Sequence, residues 1–229
     1  MSHKWSGVLI ILISALFLLA LAGAVTAQTP QPTLAPTNPA FADYFQRKSM
    51  GLLQGTAEEG YPLGLIPPPV DLSHIESPRT LQGPELLSLP AAYDLRTLGK
   101  LTAIRNQGGC GSCWAFAAYG SLESNLMPGE LRNFSENNLK NLAGFDIPCC
   151  DGGNHYMTSA YLGRWNGPVD ETDDPYNAGS CTSPPGLEPE KHIQNVDFIP
   201  DRTGPTDNDL IKQAVMTYGA VYTLSLIHI

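Results

Sequence analysis

Residues 107–114 read QGGCGSCW, a glycine-rich stretch with two cysteines that leads directly into a periodic segment. Apolar side chains then recur at every fourth residue, at Trp114, Ala118, Leu122 and Leu126. This spacing predicts a helix with one buried face, which ends at Met127-Pro128-Gly129. The sequence therefore predicts that Cys113 lies in the first turn of a buried helix, directly after a flexible loop.

A cysteine in this position has a defined chemistry. The first N–H groups of a helix have no intrahelical partner and carry partial positive charge. That charge favours the thiolate, which is the nucleophilic form of the side chain. Glycines in the preceding loop allow the backbone of a substrate to approach closely. We therefore expect Cys113 to be a nucleophile with a lowered thiol pKa.

Three other interpretations of the Cys110–Cys113 pair remain open at this level. The two-residue spacing occurs in thioredoxin-like redox pairs, but here a loop replaces the preceding strand of a βαβ unit. A zinc site formed by Cys110, Cys113, Cys149 and Cys150 has the right ligand count, although two adjacent cysteines make a poor tetrahedral pair. A purely structural disulfide is the third interpretation.

Residues 107–114 resemble the nucleophile loop of the papain-like cysteine proteases, whose motif C-G-[SA]-C-[WY] they match at every position. Three further stretches are similar to segments of that family. Pro90–Arg96 is similar to its mature start, with Leu95 where many members have Trp. Cys150–Gly153 is similar to its C-x-G-G loop, and Asp174–Tyr176, followed by Cys181, is similar to its Tyr-Pro-Tyr stretch. The resemblance covers residues 89–223. It implies an α+β, papain-like fold whose helical half is complete here, with only the start of the β-barrel-like half.

The resemblance also implies a reaction and a set of roles. The enzyme would be a cysteine endopeptidase in which Cys113 attacks the peptide carbonyl and forms a thioester. The backbone N–H of Cys113 and the side-chain amide of Gln107 would stabilise the oxyanion. Four residues would bind a peptide or protein substrate, with the last two bordering the pocket for the residue two before the cut: Gly152, Gly153, Asn154 and His155. Asn154 is also a good N-cap for a helix over Tyr156–Trp165.

The disulfide pattern follows from the same resemblance. It pairs Cys110 with Cys150, although the neighbouring Cys149 is an alternative partner. Cys149 and Cys181 are then left as a second pair. Cys113 remains as the unpaired thiol that a nucleophile requires.

A thiol protease also needs a histidine base. In this family the His and an orienting Asn lie about 130–150 residues after the Cys, which here falls beyond residue 229. The histidines of the chain match that position poorly; they are His3, His74, His155, His192 and His228. We therefore expect an inactive N-terminal fragment whose thiol pKa is only partly lowered. Residues 224–229, LSLIHI, match the translation of a transposon-end sequencing adapter. We interpret them as a read-through artefact, with a native strand as the alternative.

The segments before the motif predict a secreted zymogen. Residues 1–27 have the charged start, apolar run and small-residue end of a signal peptide, with a retained membrane anchor through residues 7–22 as the alternative. Residues 28–40 form a Pro/Thr-rich linker. Residues 41–88 are propeptide-like, with a short helix over Phe41–Met50 and an extended stretch, YPLGLIPPPV, at residues 61–70. The partial peptidase domain is assigned to residues 89–229, with a helix over Asp207–Tyr218 and a strand over Ala220–Thr223.

The composition of the chain narrows the classes of partner that we expect it to bind. The chain has 229 residues and a formal net charge of -9, which argues against a nucleic-acid partner, since such a partner needs a basic face. We expect a monomer with no membrane contact after signal cleavage, and a reaction that uses no metal or cofactor. Two rival functions are a catalytically inactive papain-fold binding or adhesion module and a thiol–disulfide redox protein that uses Cys110 and Cys113. The presence of both Cys113 and Gln107 argues against the first.

Overall fold

A computed structural model describes residues 35–52, 63–72 and 89–224. These residues contain five helices: α1 (Pro39–Ser49), α2 (Cys113–Leu126), α3 (Glu136–Leu142), α4 (His155–Gly163) and α5 (Asp209–Tyr218). Their β-structure consists of isolated bridges that pair Thr37 with Val70, Leu65 with Gly153 and Phe134 with Asp170.

Helix α2 lies at the centre of the core, where it packs against α3 and α4, which also contact each other. It begins at Cys113 and ends at Leu126, as the fourfold spacing predicts. Trp114 and Ala118 are buried, and Leu122 and Leu126 are partly buried against the same core. The prediction of a helix that starts at Cys113 and buries this face is therefore confirmed.

The other predicted helices are also present, with ends that shift by two residues at most. Helix α1 begins where the Asn38 side chain accepts a hydrogen bond from the Ala40 N–H. Helix α4 begins at Asn154, whose side chain accepts from the Met157 N–H at 3.1 Å. These caps satisfy N–H groups that the first turn leaves without an intrahelical partner. Helix α5 covers the segment predicted at Asp207–Tyr218.

The prediction of a strand at Ala220–Thr223 is wrong, because these described residues form no strand. The Ala220 N–H donates to Ser124 Oγ at 2.8 Å, and the Ser121 hydroxyl donates to the Ala220 carbonyl at 2.7 Å. The Ala220 backbone is thus satisfied by side chains of α2, whereas a strand needs the backbone of a neighbouring strand. The β half of the expected fold stays a prediction.

Several predictions fall outside the described residues. They concern the signal peptide at 1–27, most of the linker, the terminal residues 225–229, and the histidines at positions 3, 74 and 228. None of the helices in the described ranges is both long and apolar enough to cross a membrane.

Candidate active site

Cys113 is a free thiol at the first position of α2 and is half-buried. Ser112 precedes it at the N-cap position, but the Ser112 side chain makes no capping hydrogen bond. The backbone N–H groups of Cys113 and Trp114 instead interact with the Cys113 sulfur, while the Ala115 N–H donates to the Ser112 carbonyl at 2.9 Å.

The loop before Cys113 is fastened at its middle. Cys110 is joined to Cys150 by a disulfide, and the Gly111 N–H donates to the Cys150 carbonyl at 2.9 Å. The Gln107 amide donates to the Cys110 carbonyl at 3.1 Å, which holds this side chain within the nucleophile loop. A second disulfide joins Cys149 to Cys181.

The C-x-G-G loop lies beside the start of α2 because a glycine stands at position 153. A Cβ on Gly153 would lie 2.5 Å from a ring carbon of Trp114, so a larger residue would push the loop away. The disulfide from Cys150 and this close contact together bring the Gly153 backbone next to the nucleophile loop. The structure thus places Cys113, Gln107, Gly152 and Gly153 in one region.

An extended segment of the same chain crosses this region. We call residues 63–72 the strap. The Gly153 N–H donates to the Gly64 carbonyl at 2.7 Å, and the Ile66 N–H donates to the Gly153 carbonyl at 3.0 Å. These two bonds form the parallel bridge between Leu65 and Gly153. The Asn154 amide donates to the Ile66 carbonyl at 2.9 Å, and Ile66 is only 1% exposed.

The strap also lies against Cys113. A Cβ on Gly64 would lie 2.4 Å from the Gly111 carbonyl oxygen and 2.9 Å from Cys113 Sγ. Burial raises the pKa of the Cys113 thiol, and this effect outweighs hydrogen bonds to the sulfur from the backbone of Gly64, Trp114 and Cys113. The sequence-based expectation of a lowered pKa is therefore wrong for this form of the protein. The reason is that a helix terminus lowers a thiol pKa only while desolvation does not exceed its effect.

Asn154 caps α4 as predicted, while its role in substrate binding stays a prediction. Its Oδ1 atom caps α4, and its Nδ2 atom binds the strap. His155 follows it and lines a groove of about 1000 Å³ together with Leu65, Phe198 and Tyr222. The ring centroid of His155 lies 5.7 Å from that of Phe198 and 6.0 Å from that of Tyr222.

The second histidine among the described residues lies in a different environment. The His192 ring stacks on Trp165 with ring centroids 4.2 Å apart. Tyr222 is partly buried, and its pKa is raised first by desolvation and then by the charge of Cys113.

Arg105, Glu123 and Glu136 form a largely buried ionic network. The Arg105 guanidinium donates to both carboxylate oxygens of Glu123 at 2.8 Å and to Glu136 Oε1 at 2.6 Å. One cation thus serves two carboxylates, and Glu136 Oε2 has no hydrogen-bond partner. Burial raises the pKa of Glu136 to about 7, although Arg105 opposes this shift.

Comparison with known proteins identifies the family. The family model described as papain family cysteine protease matches residues 89–226. The chain belongs to the papain family of cysteine proteases.

Papain-family relatives match only part of their own length. Mouse procathepsin L is 39% identical over 108 residues, which cover 45% of this chain and 32% of the relative. A cathepsin L-like peptidase of Aedes aegypti is 34% identical over 161 residues, which cover 64% of this chain and 43% of the relative. The chain therefore spans less than half the length of these relatives.

Solved structures agree with the papain-like fold. One, from work on antibody cross-reactivity between two mite allergens, has a TM-score of 0.52 at 28% identity and covers 62% of this chain and 46% of its own. Another contains the cysteine protease and lectin-like domains of a surface-layer protein of Clostridium difficile, with a TM-score of 0.50, 24% identity, and coverage of 80% of this chain and 39% of that one. The second comparison supports the fold alone.

The cysteine arrangement bears on the alternatives to papain-family chemistry. The redox interpretation needs Cys110 to pair with Cys113, whereas the structure pairs Cys110 with Cys150. A zinc site would require three of its four ligands to leave disulfides.

Sequence reasoning missed three features of this site. They are the contact between the strap and Cys113, the ionic network at Arg105, and the hydrogen bonds of the Tyr176 hydroxyl. Only the network left a local signal, because Glu123 continues the buried face of α2 four residues after Tyr119.

Proposed function

We propose that this protein is a cysteine peptidase that cleaves peptide or protein substrates with Cys113 as its nucleophile. The observation that carries the proposal is the free thiol at the start of α2 beside a peptide segment bound in extended form. That segment, the strap, pairs with the Gly153 backbone through two hydrogen bonds. The site therefore has both a nucleophile and a surface that binds a peptide main chain.

In the proposed reaction, Cys113 Sγ attacks the carbonyl carbon of the scissile peptide and forms a thioester. The Cys113 N–H and the Gln107 amide stabilise the oxyanion, and Gly153 and Asn154 hold the substrate main chain. A histidine accepts the thiol proton and later protonates the leaving amine, and water then releases the acyl group. We assign that histidine to a part of the papain-family domain beyond residue 229, so that the present chain alone is inactive.

Contacts of the strap and of α1 support the proposal that this protein is made as a zymogen. The proposed propeptide covers residues 41–88. The segment that contains α1 contacts both the strap and the proposed peptidase domain. The Asn38 N–H before α1 donates to the Pro69 carbonyl at 3.0 Å. Lys48 in α1 pairs with Asp151 at 2.7 Å, next to the disulfide-bonded Cys150. Two disulfides suit the secreted or extracytoplasmic location that we propose.

The test compares two forms of the protein on a fluorogenic peptide substrate. One is the present chain, and the other is a form that carries the complete papain-family domain with residues 1–88 removed. We expect the second form to cleave the peptide and its Cys113→Ala variant to lose turnover. Turnover that survives this substitution would overturn the proposal. A correctly folded extended form that binds the peptide without cleaving it would favour the binding module instead.

The present chain provides a further control. Cysteine-dependent cleavage by this chain would contradict the assignment of the base and would point to His155 or His228. The His155→Ala variant would then distinguish the two.

A further inference from the structure

The Tyr176 hydroxyl links the two ends of the nucleophile loop. It lies 2.7 Å from the Gln107 carbonyl oxygen and 2.6 Å from Ser112 Oγ. A carbonyl oxygen only accepts, so the single phenolic hydrogen must be donated to Gln107. Ser112 must then donate its own hydroxyl hydrogen to the Tyr176 oxygen. The direction of both hydrogen bonds is therefore fixed.

The Tyr176 side chain is itself held from several directions. Its ring meets Phe116 of α2 edge to face, with centroids 4.8 Å apart. The Lys140 ammonium group lies 5.6 Å from the centroid of the same ring. The Tyr176 backbone N–H donates to Glu171 Oε1 at 2.7 Å. The hydroxyl is thus a fixed point to which the loop can be anchored.

The loop needs such an anchor because of its composition. Between Gln107 and Ser112 lie Gly108, Gly109, Cys110 and Gly111, and glycine restricts the backbone least of all residues. The disulfide at Cys110 fastens the middle of the loop, whereas Tyr176 fastens its ends. Those ends carry the two proposed oxyanion donors, the Gln107 side chain and the N–H that follows Ser112.

The hydrogen bond to Tyr176 also keeps the Ser112 side chain from capping α2. A serine at the N-cap usually accepts a hydrogen bond from the second or third N–H of the helix. Ser112 makes no such bond, while the N–H groups of Cys113 and Trp114 interact with the Cys113 sulfur. A Ser112 hydroxyl released from Tyr176 could accept from the Trp114 N–H and withdraw it from the sulfur.

We propose that Tyr176 is a positioning residue that braces both ends of the nucleophile loop and keeps the Ser112 hydroxyl away from the first N–H groups of α2. The role in hydrolysis rests on the proposed function. The effect on the thiol does not, because it can be measured without turnover.

The first test measures thiol reactivity in the present chain, as the pH profile of Cys113 alkylation by iodoacetamide. We expect Tyr176→Phe to lower the rate about fivefold below the thiol pKa, which is the size of effect expected from one capping bond, and to leave it unchanged where the thiol is fully ionised. The double variant Tyr176→Phe/Ser112→Ala lacks the competing hydroxyl and should recover the original profile. Tyr93→Phe is the matched control, since it removes a hydroxyl that bonds the Met216 carbonyl at 3.4 Å.

The second test uses the extended, active form. Tyr176→Phe should lower kcat about tenfold, less than the loss of a whole oxyanion donor, with KM changed less than twofold. Unaltered kcat together with an unaltered alkylation profile would overturn the inference and leave the proposed function intact. A double variant that alkylates as slowly as Tyr176→Phe would also overturn it, because general structural damage would then explain both. If the extended form shows no cysteine-dependent turnover, the proposed function fails, and the alkylation profile still decides the role of Tyr176.

Discussion

Replacing Gly64 by Ala should release the strap from Cys113. The added Cβ would lie 2.4 Å from the Gly111 carbonyl oxygen. Both atoms are fixed to the backbone, so no side-chain rotation relieves the contact. The strap must move away from Gly111, and this movement breaks its two hydrogen bonds to Gly153.

The size of the effect follows from those bonds. Each hydrogen bond contributes about 1 kcal/mol net, so the loss of both costs about 2 kcal/mol. This free energy raises the fraction of molecules with an open strap about 30-fold. Alkylation of Cys113 requires the open form, because the thiol is half-buried beneath Gly64 when the strap is closed. The alkylation rate should therefore rise by a similar factor.

The assay is iodoacetamide modification of the oxidised chain at neutral pH, followed by mass spectrometry. Both disulfides remain intact, so Cys113 is the thiol that reacts. The matched control is Gly163→Ala at the end of α4, where an added Cβ meets nothing within 4 Å. Equal rates for the Gly64→Ala variant and the unmodified chain would refute the reasoning. So would a Gly163→Ala variant that reacts as fast as Gly64→Ala.

Three further predictions concern the strap and the buried charges. Asn154→Asp keeps the oxygen that caps α4 but replaces the amide that binds the Ile66 carbonyl by a carboxylate oxygen, so it should speed alkylation several-fold, whereas Asn154→Ala should in addition remove the cap, at a cost of about 1 kcal/mol in urea unfolding. The folded Glu136 carboxyl, with its pKa raised from 4.5 to about 7, retains a proton between those pH values that the unfolded chain releases. The wild type should therefore lose about 3 kcal/mol as the pH rises through that window, and Glu136→Gln should lose correspondingly less. Arg105→Gln leaves Glu123 buried without its cation and should lower the free energy of unfolding by about 3–5 kcal/mol; a loss below 1 kcal/mol would contradict the network's role.

Local patterns predicted four of the five helices of the described residues, whereas the short helix α3 at Glu136–Leu142 was missed. The fourfold spacing after Cys113 defines α2, and residues such as Asn154 identify a cap because capping depends on neighbours within three positions. The predicted ends of α4 and α5 differ from the observed ends by two residues at most. Such features depend on short stretches of sequence and can be predicted from them.

Local sequence patterns did not predict the long-range contacts. Gly64 and Cys113 are distant in sequence, and YPLGLIPPPV predicts an extended segment without indicating what it covers. The lowered thiol pKa was inferred from the helix terminus alone, which omits the desolvation caused by burial. Similarly, Tyr176 lies 69 positions from Gln107, so no local pattern predicts that its hydroxyl braces the nucleophile loop.

The orientation of the strap explains how a peptide bound beside the proposed nucleophile can block it. Attack requires a carbonyl carbon at the sulfur, with its oxygen directed to the oxyanion donors. The bridge between Leu65 and Gly153 is parallel, and the Gly64 backbone presents an N–H to the Cys113 sulfur. The Gly64 carbonyl oxygen instead accepts from the Gly153 N–H at 2.7 Å. The strap therefore pairs with the Gly153 backbone, where we propose that a substrate main chain binds, and offers the thiol a hydrogen-bond donor in place of an electrophile, which is the arrangement that the proposed propeptide would need to inhibit this site.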